Sequence, residues 1–142
     1  MSVIPENFLD LLQSTALANI ATIGPKGEPQ VSPVWFVWDG THIRFSMNAV
    51  RQKHRNLLRE PRIALSITDP DNPYRTIEIR GTARIEKDVN YHFVNSVVTK
   101  KYTGQEFNDQ NPNPNLKPGE ERVIAVVEPE HAVALSLRED KK

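Results

Sequence analysis

Gln30-Val31-Ser32-Pro33-Val34-Trp35-Phe36-Val37-Trp38-Asp39-Gly40 is a run of β-branched and aromatic residues that ends in an Asp-Gly pair, with His42-Ile43-Arg44-Phe45-Ser46 close behind it. Valine and the aromatics suit a pleated, half-buried surface, and Asp-Gly is the strongest short hairpin signal. The stretch predicts strands over 30–38 and 42–46, paired antiparallel. Upstream, Leu-Ala-Asn-Ile-Ala-Thr-Ile at 17–23 is short and bounded by the turn residues Gly24-Pro25-Lys26-Gly27, so it reads as a further strand.

Working outward, Pro5 suits the first turn of a helix, and Phe8, Leu11 and Leu12 follow at helical spacing over about 5–14. Between 48 and 59 the period is again helical, with Val50, His54 and Leu57 three or four apart and Pro61 as the stop. Residues 62–68 read as a strand, 69–73 as a loop, and 75–86 as a long strand in which Gly81 marks a bulge or a close backbone approach. Asp88 is placed to cap a helix carrying Val89, Phe93, Val94, Val97 and Val98 on one stripe. Residues 103–121 hold Gly, Asn, Gln and three Pro with no apolar period, which predicts a long surface loop. Two closing strands follow at 123–127 and 131–137, joined by a turn at Glu128-Pro129-Glu130, and the charged tail 138–142 reads as frayed. Six or so short strands with two or three short helices predict a mainly β protein, a small antiparallel barrel with helices packed outside.

Composition limits the function. The 142 residues fit one domain spanning 1–142, without an internal repeat. Leu, Ile, Val and Phe make up 38 of them, enough for a modest core. Lys plus Arg and Asp plus Glu each number 18, so no bulk charge attracts nucleic acid or an anionic membrane. The absence of Cys excludes a disulfide scaffold, a thiolate nucleophile and a Cys-based zinc site. No apolar run is long enough to span a bilayer and the start lacks a signal-peptide pattern, so a cytoplasmic protein is expected.

No metalloprotease, phosphate-loop, dinucleotide or serine-hydrolase motif is present. His42, His54, His92 and His131 lie in four different elements with no ligand spacing, so no metal is expected. The segment from Ser46 to Leu57 stands out because a strand runs through a polar connector into a helix start bearing Arg51 and Lys53. A helix N-terminus with cations binds phosphate. Two cations two residues apart diverge on a regular helix, but converge if Arg51 still belongs to the connector. Taken alone, the segment reads more simply as a solvated helix face, with Arg55, Arg59 and Arg62 toward its C-terminus. The aromatics of residues 34–38 likewise read as a wall for a flat ring or, more simply, as core.

Taken together, ATIGPKGEPQVSPVWFVWDG, IRFS, the Arg51 to Leu57 pattern R-x-K-x-x-N-L, EPRIALSITDPDNPY and TIEIRGTARI resemble the flavin-binding split-barrel family of pyridoxamine 5'-phosphate oxidase. The branch of probable coenzyme F420-dependent reductases is the nearest match. The likeness runs from about 17 to 102 and resumes at ERVIAVVEPEH. It implies a six-stranded antiparallel split β-barrel, homodimeric, with cofactor sites at the subunit interface. It gives Val34, Trp35 and Phe36 a face toward the cofactor ring, and brings Ser46 and Met47 to the ribityl chain and phosphate. Arg51 and Lys53 match the cationic phosphate ligands. Tyr74, Arg75 and Thr76 enter the site with help from the second subunit, while Asn56 and Leu57 hold the helix.

The implied function is an oxidoreductase that transfers a hydride between reduced F420 and a small unsaturated or aromatic acceptor. No catalytic residue is named by it. An FMN-dependent enzyme of the same fold and a non-catalytic flavin-binding or storage protein are the alternatives. The match to pyridoxamine phosphate oxidase itself is poorer, because no Arg-rich substrate segment follows Leu137.

Overall fold

The computed structural model describes residues 2–137. A 3-10 turn (Glu6–Phe8) leads into α1 (Leu9–Leu12), then β1 (Ala18–Ile23), β2 (Pro29–Val34), β3 (Val37–Trp38), β4 (Ile43–Asn48) and α2 (Gln52–Arg59). The chain continues through β5 (Arg62–Asp69), β6 (Asn72–Lys87), a second 3-10 turn (Val89–Tyr91), a π turn (Phe93–Val98), α3 (Thr99–Thr103) and β7 (Arg122–Ser136). All strands join one antiparallel sheet in the order β2-β1-β5-β6-β7-β4-β3.

The sheet's two edge strands, β2 and β3, are separated in the chain by only Trp35 and Phe36. Seven strands cannot lie flat while their first and last members are joined by two residues. The sheet therefore curls round until its edges meet at Trp35-Phe36, which is the split barrel. Inside, Ile20, Phe45, Leu65, Ile77 and Ile79 are all but fully buried, and Phe8, Leu11 and Leu12 from the N-terminal segment join the same cluster. Each fully buried side chain of this size contributes about 1.5–3 kcal/mol.

Seven strands stand where the sequence implied six. The stretch expected as one strand over 30–38 breaks at Trp35-Phe36, where the chain passes from one sheet edge to the other. The two strands expected at 123–127 and 131–137 are instead one strand, β7. Pro129 does not end it: Pro129 stays in register opposite Gly81, and the ladder shifts by one residue at Glu130 before His131 meets Arg80. Gly81 is needed there, since a Cβ would lie 2.0 Å from the Glu128 carbonyl oxygen. The Asp39-Gly40 signal does close a hairpin, with four residues rather than two between β3 and β4. Asp39 Oδ1 accepts from the Thr41 and His42 amides, and Gly40 sits at φ +95°.

The Asp88 cap also differs from expectation. Its carboxylate accepts from the amides of Phe93 and Val94, so Val89 lies outside the stripe and is 63% exposed. Asn90 and Tyr91 carry the kink at φ 56° and 57°. Phe93 and Val98 cover Ile124 and Val126 on the outer face of β7, while Val123, Ala125 and Val127 face the barrel core. That is why five consecutive residues of this strand are buried. The loop expected at 103–121 is irregular from 104 onward and is tied back by Phe107 N–H donating to the Asn95 carbonyl and Tyr91 Oη donating to the Glu120 carbonyl. The tail at 138–142 lies outside the described residues. Among the described residues, no helix is long and apolar enough to cross a membrane.

Candidate functional site

Arg51 is the N-cap of α2 in extended geometry (φ −69°, ψ 146°), and no side chain caps the helix. It thus belongs to the connector, and Lys53 to the first turn. The first amides of the helix have no intrahelical acceptor, so α2 offers N–H groups and a partial positive charge. Arg51, Gln52 and Lys53 line one hollow of about 190 Å³ with Thr22, Gln30, Val31 and Ser32. Among the described residues, neither cation has a carboxylate within ion-pair distance.

Lys53 also lines a second hollow, of about 220 Å³, with Pro33, Val34, Trp35, Ser46, Val94, Val98 and Arg122. Its Nζ donates to Ser32 Oγ at 3.3 Å. Burial pulls the Lys53 ammonium below its ordinary range, and the positive charges of Arg51 and Arg122 add to the effect. An anion placed here would relieve that repulsion.

The floor of the site is rigid. Asn56 is fully buried; its Nδ2 donates to Thr22 Oγ1 at 2.9 Å and to Gln30 Oε1 at 2.8 Å, and its Oδ1 accepts from Gln52 Nε2 at 2.8 Å. One side chain therefore ties α2 to β1 and β2. Leu57 is buried in the barrel core.

Sequence-derived candidates divide into two groups. Val34, Trp35, Ser46, Arg51 and Lys53 come together around the two hollows. Met47 and Phe36 do not present side chains there, because both are buried in the core. The Phe36 amide already donates to Tyr102 Oη at 3.1 Å, and its carbonyl accepts from Lys101 Nζ at 2.7 Å. Tyr74, Arg75 and Thr76 line neither hollow in this chain. Arg75 is a strut, bonded to both Asp10 oxygens at 2.6 and 3.1 Å, to Asp69 at 2.9 Å and to the Asn7 carbonyl at 2.7 Å.

Two features were not visible in the sequence. The first is Lys101-Tyr102, which holds the break between β2 and β3. Lys101 Nζ lies 4.0 Å from the Phe36 ring centroid, and burial lowers its ammonium to about 8. The second is Arg122, delivered to the end of β4 by the register Asn48↔Arg122. Its Nη1 donates to Glu120 and its Nη2 to Ser46 Oγ, both at 2.8 Å. Its Nε is shielded from solvent without an acceptor. No local pattern marks either feature, since each depends on partners far along the chain.

A family model described as pyridoxamine 5'-phosphate oxidase matches residues 4–134. Among solved structures, an F420 reductase is 34% identical and superposes with a TM-score of 0.75, covering 92% of this chain and 98% of that one. A conserved hypothetical protein from Mycobacterium tuberculosis is 27% identical with a TM-score of 0.75, over 99% and 92% of the two chains. General stress protein 26 from Bacillus anthracis, at 14% identity and a TM-score of 0.68 over 92% of each chain, shares the fold. A search of the curated proteins gives no significant match. The chain belongs to the pyridoxamine 5'-phosphate oxidase family, with the split β-barrel fold.

Proposed function

We propose that this chain is an oxidoreductase that binds a flavin-type cofactor and transfers a hydride between reduced F420 and a small unsaturated or aromatic acceptor. The observation that carries the reading is the placement of Arg51 and Lys53. Two cations with no carboxylate partner among the described residues flank the open N-terminus of α2, beside a hollow with a largely apolar lining. The donor set fits the cofactor's anionic end, and Arg122 lines the neighbouring hollow together with Lys53 and Ser46.

In this reading Arg51, Lys53 and the first amides of α2 hold the ribityl phosphate. Pro33, Val34 and Trp35 on one side and Val94 and Val98 on the other enclose the ring and exclude water from it. The cofactor, when bound, supplies the hydride, which is consistent with a chain carrying no catalytic motif of its own. The 34% identity to an F420 reductase favours the deazaflavin. FMN carries the same ribityl phosphate and is the alternative.

A homodimer is part of the proposal. Val31, Val133 and Leu135 are 71%, 48% and 48% exposed, unusual apolar exposure for strand residues. With Tyr74 at 47% on the adjoining strand β6, Val133 and Leu135 suit a subunit face through which residues 74–76 of one copy approach the site of the other. The test is to denature purified protein and identify the released ligand by absorbance and mass. F420 or FMN supports the reading. Protein that carries neither, and binds neither when they are added, contradicts it.

A further inference from the structure

The lining of the slot between β2 and the π turn has a one-sided chemistry. Its polar groups are Lys53 Nζ, the Ser46 hydroxyl and the Arg122 guanidinium. Ser46 Oγ already accepts from Arg122, which leaves its proton to donate. Glu120 is the only carboxylate paired with any of Arg51, Lys53 and Arg122 among the described residues, and it faces Arg122 alone. Of the two cations that line this hollow, Arg122 has one carboxylate partner and Lys53 has none among the described residues, so the lining is rich in donors.

Arg122 itself is held fast. Its side chain is 15% exposed and that of Glu120 only 5%. With Nη1 on Glu120 and Nη2 on Ser46, the plane of the guanidinium is fixed, yet Nε has no acceptor. A guanidinium held in a fixed plane by two hydrogen bonds, in a side chain that lines the hollow, is preorganised to meet an anionic group there.

The walls say which ligand edge belongs there. Pro33, Val34, Trp35, Val94 and Val98 give the hollow an apolar lining alongside its donors, which suits an apolar ring with a polar edge. In the cofactor reading the phosphate is held at the other hollow by Arg51 and Lys53, so Arg122 and Ser46 meet a different part of the same molecule. Hydride uptake adds two electrons and one proton to a flavin-type ring. The ring therefore gains one negative charge, unless water supplies a second proton.

Resting on the cofactor reading above, we propose that Arg122 is a further binding residue of this site. With the Ser46 hydroxyl, it receives the negative charge on the pyrimidine edge of the reduced ring, so that the chain holds reduced cofactor more tightly than oxidised. Glu120 is its positioning partner and fixes the guanidinium plane.

The test is anaerobic binding titration of the full chain with FMN and with F420, each oxidised and chemically reduced. The variants are the Arg122→Gln/Glu120→Gln pair, which removes both charges together, and Arg122→Lys, which keeps the cation. For whichever dye binds, wild-type protein should favour the reduced form by about tenfold or more, the scale of one charge-assisted hydrogen bond. The Gln/Gln pair should lose that preference while oxidised-form affinity changes less than about threefold, and Arg122→Lys should restore part of it. An unchanged ratio of reduced to oxidised affinity in the Gln/Gln pair overturns the role of Arg122 and leaves the cofactor reading standing. Failure of wild-type protein to bind either dye overturns the cofactor reading, and this proposal with it.

Discussion

The rings of Trp35 and Tyr102 are stacked, with centroids 4.7 Å apart and planes 3° from parallel. This contact seals the seam at which the barrel's edge strands meet. Tyr102 Oη donates to the Ala16 carbonyl at 2.8 Å and accepts from the Phe36 amide at 3.1 Å, so one hydroxyl spans the break. Tyr102→Phe keeps the stack and leaves both backbone groups unpaired. The expected loss is about 1–3 kcal/mol of stability by urea denaturation. A loss within error would show that water replaces the hydroxyl.

Asn56→Leu removes the amide joining α2 to β1 and β2 and strands Thr22 and Gln30 without their donor. The expected destabilisation is about 2–4 kcal/mol, in the range for breaking a buried polar network. Cofactor affinity should fall as well, because Arg51 and Lys53 ride on the helix this residue anchors. Unaltered stability would mean that packing of Leu57 alone seats α2.

Gly81→Ala places a methyl carbon 2.0 Å from the Glu128 carbonyl oxygen and 3.3 Å from Pro129 Cα, both backbone atoms. Neither can move without shifting the β6–β7 ladder. The thermal midpoint should drop by about 10 °C or more, corresponding to a loss of about 3 kcal/mol or more. A variant that melts with wild-type protein would show the bulge to be pliable.

Asp39 gives an acid-side signature. Burial raises its carboxyl, but the amides of His42 and Thr41 and the Arg44 guanidinium outweigh that and hold it at about 2. A folded-state value below the unfolded one contributes stability that is present above pH ~4 and is lost as pH falls toward 2. Asp39→Asn should therefore flatten the acid limb of stability against pH by about 1–2 kcal/mol. Parallel wild-type and variant curves between pH 5 and 2 would contradict this.

Much of the fold was legible because the signals were local. Asp39-Gly40 marked the hairpin, Pro61 stopped α2, and Gly81 marked the bulge. The errors came where tertiary geometry overrides local pattern. Nothing between Val34 and Val37 announces a broken strand, since the break exists only because the sheet closes on itself. Pro129 reads as a turn until the bulge opposite it is known. At the candidate site, the closeness of Arg51 and Lys53 was readable because a helix start and its cations are contiguous in the chain, although the segment alone reads more simply as a solvated helix face and only the family resemblance made them phosphate ligands. Arg122 and Tyr102 were not readable, because they reach the site through the β4–β7 register and through packing of the outer helical segment on the barrel.

In the proposed function, Arg51 and Lys53 grip the phosphate of a flavin-type cofactor. Isothermal titration of wild-type protein and the Arg51→Ala/Lys53→Ala variant, with F420 and FMN and with their dephosphorylated forms, tests it most directly. The double variant should stay folded and lose several kcal/mol for the phosphorylated cofactor, at about 1.5–3 kcal/mol for each charge-assisted contact, with little change for the dephosphorylated ring. Equal affinity of wild type and variant for the phosphorylated cofactor would contradict the account.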